Sequence, residues 1–142
     1  MARVIQYKPS IQPFSWPIRV YYEDTDSGGV VYHSNYLNFM ERARTEWLRA
    51  LGFEQTILKD SMGVIIVVHS LSINFKKPAY FNDMLQVNCS LSKVGYSSIG
   101  MSQTIQREGI VIIDAEVKAA FVDATTFKPV AIPIEIKQKM NH

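Results

Sequence analysis

The sequence predicts an α+β fold, in which one long helix packs against a curved antiparallel sheet of about five strands. A single long segment, from about Asn35 to Leu51, carries apolar residues at spacings of three and four, which is typical of a helix with one apolar face. From Gly63 onward the apolar period changes to two over several successive segments, which is typical of strands. One helix laid on one sheet buries both kinds of apolar face, so these two patterns together favour this fold class.

Composition limits the class of protein. At 142 residues the chain has the length of one domain, and 47% hydrophobic with 20% charged residues is typical of a globule rather than a disordered chain. The net charge is only +2, and the Lys and Arg residues are scattered, which argues against a nucleic-acid partner. The single cysteine, Cys89, excludes an intrachain disulfide and favours a reducing compartment.

The amino-terminal residues lack a regular apolar pattern. Residues 1–16 are predicted to form a lead-in arm that pairs at a sheet edge, and residues 17–142 to form the single domain. No segment approaches the roughly 18 apolar residues of a membrane helix, and no signal-peptide pattern is present. We therefore expect a cytoplasmic protein without an integral membrane segment.

The predicted elements follow from these patterns in chain order. The helix presents its apolar face through Tyr36, Met40, Ala43 and Trp47, and Gly52 ends it. The strand from Val64 to Phe75 is predicted to be largely buried, because its first half is wholly apolar. The other predicted strands are Ile18–Tyr22, Leu85–Leu91, Ile99–Gln106 and Val111–Phe121. A bend at Gly95, a hairpin turn at 107–109 and a short polar tail after Pro133 complete the prediction.

The segment Asp24-Thr25-Asp26-Ser27-Gly28-Gly29 places two carboxylates in a glycine turn between a strand and the helix start. A calcium loop of the EF-hand kind would need a bidentate Glu where Asn35 stands, and an aspartyl phosphotransferase would need repeated strand and helix units. Asp24 is expected to accept backbone amide hydrogens in the turn. From spacing alone, Asp26 is equally compatible with a turn carboxylate and with a catalytic one.

A long ungapped run, residues 20–33, continues through Asn35-Tyr36 and 41–46, and closely resembles the YbgC branch of the 4-hydroxybenzoyl-CoA thioesterase family. Weaker similarity extends through Lys77-Pro78-Ala79 and 114–117 to nearly everything after Trp16. The resemblance implies the hotdog fold, a long central helix wrapped by a curved antiparallel sheet. This implied fold agrees with the pattern of helix and strands described above.

The resemblance also implies which residues form the active site. The family's catalytic carboxylate is the second acid of the Asp-x-Asp pair, which corresponds to Asp26, and its carbonyl-binding backbone amide at the helix start corresponds to His33. The His33 imidazole either packs beside Tyr32 or orients substrate near Asp26. Asp26 acts either as nucleophile or as general base, because both roles need an ionised carboxylate at the same place. No metal and no separate cofactor are expected, since coenzyme A is part of the substrate.

The implied activity is hydrolysis of an acyl-CoA thioester to free acid and CoA, with acyl carrier protein as an alternative carrier. The expected assembly is a homo-oligomer, a dimer or a tetramer, and YbgC relatives are associated with the Tol-Pal system and with phospholipid synthesis. The family's CoA phosphate contacts cannot be carried over onto residues 93–98, which leaves Lys76, Lys77, Lys93 and Arg107 as candidates.

Two other functions are compatible with a hotdog fold. A non-catalytic adaptor would bind an acyl chain or acyl carrier protein without turnover, but it gains nothing from an unpaired acid such as Asp26 beside the helix start. A hotdog dehydratase would use a histidine with an acidic partner in a different motif. The thioesterase is therefore the preferred hypothesis, and the adaptor is the alternative.

Overall fold

The computed structural model describes residues 14–140. In chain order the main elements are β1 (Phe14–Arg19), α1 (His33–Ala50), β2 (Val64–Phe75), β3 (Met84–Val94), β4 (Ser98–Arg107), β5 (Ile110–Asp123) and a C-terminal helix (Ile134–Met140). Short helical turns occupy Tyr22–Asp24, Gln55–Ile57 and Leu58–Met62. The division into an arm and a domain stays a prediction, because residues 1–13 lie outside the described range and residues 14–16 already belong to β1.

The five strands form one antiparallel sheet in the order β1-β3-β4-β5-β2. The tight turn between β4 and β5 places Glu108 and Gly109 at φ values of 53° and 80°, the left-handed pair that suits a two-residue hairpin. The α+β fold class, the helix wrapped by a sheet of five strands and the hairpin turn are confirmed.

The long helix packs on one face of this sheet. Its buried residues recur at helical spacing, and they are Tyr36, Phe39, Met40, Ala43, Trp47 and Leu48. The alternating residues of β3, β4 and β5 meet them, including Leu85, Val87, Ile105, Val117 and Phe121. Among residues 14–140, no helix is long and apolar enough to cross a membrane.

A buried polar side chain, Gln103 of β4, joins the helix to the sheet. Its amide nitrogen donates to the carbonyl of Met40 at 3.1 Å and to Sγ of Cys89 at 3.1 Å, and its oxygen accepts from Arg44 at 3.0 Å. Burial raises the pKa of the Cys89 thiol to about 12. Cys89 is therefore a protonated packing residue at neutral pH, and each hydrogen bond of Gln103 offsets the cost of burying its amide.

The first strand was predicted at the wrong place. The structure puts β1 at Phe14–Arg19 rather than Ile18–Tyr22, so Pro17 lies inside the strand. Among the described residues, β1 is an edge strand that pairs with β3 alone, and a residue without an N–H is tolerated at such an edge. Residues 22–24 form a helical turn instead of extending the strand.

Three further expectations differ from the structure. Strand β2 lies at the opposite edge, so it is not largely buried, and Val68 is 46% exposed. The predicted polar tail is a short helix that buries Ile136 and Met140, two apolar residues four positions apart. The long helix begins at His33, two residues before the predicted start.

Candidate active site

Asp24 fixes the loop between β1 and α1. It is buried, and its Oδ2 accepts from the amide of Tyr21 at 2.8 Å. Its carbonyl accepts from the amide of Tyr32 at 3.1 Å and from the side-chain amide of Asn35 at 2.8 Å. These contacts connect the loop to the first turn of the helix, so Asp24 has the supporting geometry that the sequence predicted.

Asp26 is exposed and is held by a local turn. Its Oδ1 accepts from the amide of Gly28 at 2.8 Å, while its Oδ2 accepts no hydrogen bond from a described residue. The Asp26 amide donates to the carbonyl of Val30 at 2.9 Å, and Gly29 closes the turn at a φ of 83° that a side chain would strain. The turn therefore orients the carboxylate and leaves one oxygen free for water or substrate.

The first two amides of α1 are hydrogen-bond donors that have no acceptor among the described residues. Tyr32 precedes the helix with an extended backbone (φ −70°, ψ 144°) and makes no side-chain cap. The amide of Asn35 donates to the Tyr32 carbonyl at 2.9 Å, but those of His33 and Ser34 meet no acceptor within residues 14–140. Free amides at the positive end of a helix suit a negatively charged oxygen.

Asp26 and His33 lie together on one cavity of about 320 Å³. Its other lining residues are Val30, Val31, Tyr32, Tyr36, Phe75, Lys76, Lys77 and Pro78. The His33 imidazole packs edge-on against the ring of Phe75, with 4.9 Å between ring centroids, and also beside Tyr32 at 6.2 Å. In the part of the chain that the structure describes, no hydrogen bond joins this imidazole to the Asp26 carboxylate.

Tyr36 is one of the buried residues of the cavity lining. Its hydroxyl accepts from the amide of Ala79 at 2.9 Å, and the Ala79 carbonyl accepts from the amide of Val31 at 2.9 Å. Burial raises the pKa of the Tyr36 phenol above its ordinary value, so the ring stays neutral. These two bonds connect Ala79, which follows β2, to Tyr36 in α1 and to Val31 in the loop of Asp26.

Of the lining residues at the end of β2, Lys76 and Lys77 were candidates for the CoA phosphate contacts, whereas Phe75 and Pro78 were not predicted to belong to the site. Phe75 ends the strand, Lys76 and Lys77 follow it, and Pro78 turns the chain toward Ala79. The only sequence signal was an aromatic strand end followed directly by two lysines and a proline. Of the other candidate cations, Lys93 lines a separate cavity with His69, and Arg107 pairs with Asp83 at 2.9 Å.

Comparison with known proteins identifies the family of this chain. The family model described as "Thioesterase-like superfamily" matches residues 20–140. A Haemophilus influenzae protein named "Acyl-CoA thioesterase YbgC" is 46% identical, with 91% of this chain and 95% of that protein covered. An Escherichia coli protein named "Acyl-CoA thioester hydrolase YbgC" is 42% identical, with 87% and 92% covered.

A solved structure supports the fold independently. A probable thioesterase from Bartonella henselae superimposes with a TM-score of 0.80 at 35% identity, covering 84% of this chain and 98% of that one. The predicted resemblance to the YbgC branch and the hotdog fold are thereby confirmed. The chain belongs to the thioesterase-like superfamily, whose model matches almost the whole of its described domain.

Proposed function

We propose that this protein hydrolyses acyl-CoA thioesters to a free acid and CoA, with Asp26 as its catalytic carboxylate. The observation that carries the proposal is one cavity lined by both an unpaired Asp26 oxygen and the residue whose amide is free, His33. Relatives named as acyl-CoA thioesterases support the substrate class.

The proposed reaction needs an oxygen nucleophile and a donor for the developing oxyanion. Ionised Asp26 deprotonates a water that attacks the thioester carbonyl, and the negative oxygen then accepts from the His33 amide. Collapse of the tetrahedral intermediate breaks the C–S bond, and the thiolate leaves and takes up a proton. Direct attack by Asp26 would use the same carboxylate, and the exposed position of Asp26, which gives water access to it, favours the water route.

The remaining expectations extend this proposal and stay predictions. Acyl carrier protein as an alternative carrier, a link to the Tol-Pal system or to phospholipid metabolism, and a cytoplasmic location rest on the resemblance and on the sequence. The expectation that coenzyme A enters only as part of the substrate follows from the proposed reaction, which needs no metal and no separate cofactor.

The proposed active form is a homodimer that pairs β2 with its copy. Strand β2 ends the sheet, and its side chains on the helix side remain partly uncovered: Val68 is 46%, Leu71 38% and Phe75 46% exposed. An edge strand with free backbone groups and an apolar face is a template for pairing with a second chain. Phe75 also lines the cavity, so this pairing would place the partner beside the site.

Replacing Asp26 by Asn should lower kcat at least about 100-fold while the fold is kept, because the neutral amide cannot accept the proton. Release of free CoA can be followed with a thiol reagent, since the buried Cys89 does not compete. Asp60→Asn is the matched control, because Asp60 is an exposed aspartate outside the cavity. Near-normal turnover by Asp26→Asn would contradict the assignment.

The His33 amide can be tested by comparing His33→Pro with His33→Ala. Proline lacks an N–H, is tolerated at the first position of a helix, and suits the extended Tyr32 before it. Both variants lose the imidazole, but only the proline variant loses the oxyanion donor, which should cost a further factor of about 10² to 10³ in kcat. Equal kcat for the two variants, with equal melting temperatures, would remove this amide from the mechanism.

The dimer is tested by light scattering coupled to size exclusion. The unmodified protein should show twice the mass of the chain, whereas Leu71→Arg should show the monomer, because it buries a charge in the apolar face. Ser72→Arg puts the same charge on the next residue, which points to the other face of the strand, and should remain a dimer. A monomeric unmodified protein would refute the proposed assembly.

A further inference from the structure

The hydroxyl of Tyr36 is a buried donor whose proton has no protein acceptor. Tyr36 lines the same cavity as Asp26 and His33, and it is only 3% exposed. Its oxygen accepts from the amide of Ala79 at 2.9 Å, but its proton meets no acceptor in the part of the chain that the structure describes. A phenol can accept and donate at once, and buried donors in proteins are nearly always paired. The acceptor of this proton is therefore expected to belong to a molecule in the cavity.

Packing and one hydrogen bond fix the position of this hydroxyl. The Tyr36 ring packs against Phe39, at 6.1 Å between ring centroids, and against Phe75, at 5.8 Å, while the amide of Ala79 holds its oxygen. Burial raises the pKa of the phenol above its ordinary value, so the hydroxyl keeps its proton at neutral pH. A donor held in this way meets a ligand without rotating its side chain, which is what preorganised electrostatic catalysis requires.

Tyr36 and the unpaired amide of His33 belong to the same first turn of α1. The two residues are three positions apart, so they lie on one side of the helix, and both rings contact Phe75, at 4.9 Å for His33 and 5.8 Å for Tyr36. The hydroxyl is also joined through Ala79 to the amide of Val31, two residues before His33. The hydroxyl and the amide therefore approach the cavity from the same turn of helix.

The other side-chain donors on the cavity are exposed. They belong to Tyr32, His33, Lys76 and Lys77, and Lys76 is ion-paired as well. Water already satisfies an exposed donor, so a ligand gains little when it replaces that water. The buried proton of Tyr36 differs, because a ligand that accepts it offsets the cost of an unpaired buried donor.

We propose that Tyr36 is a second oxyanion donor, which binds the thioester carbonyl oxygen together with the amide of His33. This inference rests on the proposed thioester hydrolysis. Negative charge grows on the carbonyl oxygen as water attacks, and two fixed donors stabilise that charge better than one. The phenol keeps its proton throughout, and its hydrogen bond weakens again when the intermediate collapses and the thiolate leaves. The unpaired amide of Ser34 does not compete, because Ser34 does not line the cavity.

Tyr36→Phe removes the hydroxyl and keeps the ring. The substrate is an acyl-CoA with an unsubstituted alkyl chain, so the acyl group offers no acceptor besides the thioester. We expect kcat to fall about 10²-fold with little change in KM, because the bond strengthens only as charge develops. Tyr96→Phe is the matched control, because Tyr96 is exposed and lies outside the cavity.

Tyr36→Phe also leaves the Ala79 amide without its acceptor, so a second measurement separates donation from support of the fold. Replacing Tyr36 by monofluorinated and then by difluorinated tyrosine lowers the pKa of the phenol stepwise. The hydroxyl becomes a stronger donor to the oxyanion and a weaker acceptor for Ala79. At a pH where the phenol stays protonated, kcat should rise with each fluorine. A kcat that stays level or falls would assign Tyr36 to support of Ala79 and overturn the inference.

The leaving thiol decides which atom of the thioester Tyr36 binds. Tyr36→Phe should slow the acyl-CoA and the thiophenol ester of the same acid by similar factors, because the two share one carbonyl. A much larger loss with CoA, the poorer leaving group, would move the bond to the sulfur and overturn the inference, as would unchanged kcat in Tyr36→Phe. Each of these results leaves the proposed hydrolysis standing. If the unmodified protein hydrolyses neither kind of thioester, the proposed function fails and this inference fails with it.

Discussion

The site depends on how the buried residue Ala79 connects three parts of the chain. Its amide donates to the hydroxyl of Tyr36 in α1, and its carbonyl accepts from the amide of Val31 in the Asp26 loop. Ala79 itself follows the end of β2 and is fully buried, so neither bond is weakened by water. The helix start, the Asp26 loop and the end of β2 are thereby held together, and the cavity lies where they meet.

Most of the proposed catalytic apparatus is backbone or is fixed by backbone. The Asp26 carboxylate is oriented by the Gly28 amide, and the oxyanion donor is an amide that the helix leaves unpaired by its geometry. Such groups are preorganised, because they need no side-chain rotation during the reaction. The packing of α1 on the sheet, with Gln103 bound to the Met40 carbonyl and to Arg44, therefore helps to fix the site as well as the fold.

Local patterns in the sequence predicted the helix and the sheet, because each depends on residues close together in the chain. The catalytic roles of Asp26 and His33 came from the resemblance to the thioesterase family and stay predictions. The place of Phe75 beside His33 could not be predicted this way, since the end of β2 meets the start of α1 only in the folded chain. Apolar periodicity shows which face of a strand is buried but not the order of strands, so the exposed edge position of β2 was missed. The sequence predicted β1 to begin after Pro17, because a proline disrupts a central strand. A proline is tolerated in an edge strand, and Pro17 lies inside β1.

The central claim is that the thioester carbonyl lies between Asp26 and the amide of His33. The most direct measurement is a crystal structure of the Asp26→Asn variant with an acyl-CoA analogue in which a ketone, S–CH₂–C(=O), replaces the thioester. The account predicts the ketone oxygen within about 3.2 Å of the His33 amide nitrogen. It also predicts that the side chain at position 26 lies on the side of the carbonyl group that faces away from this amide. A ketone oxygen that is bound elsewhere, for example in the cavity beside Trp47, would contradict it.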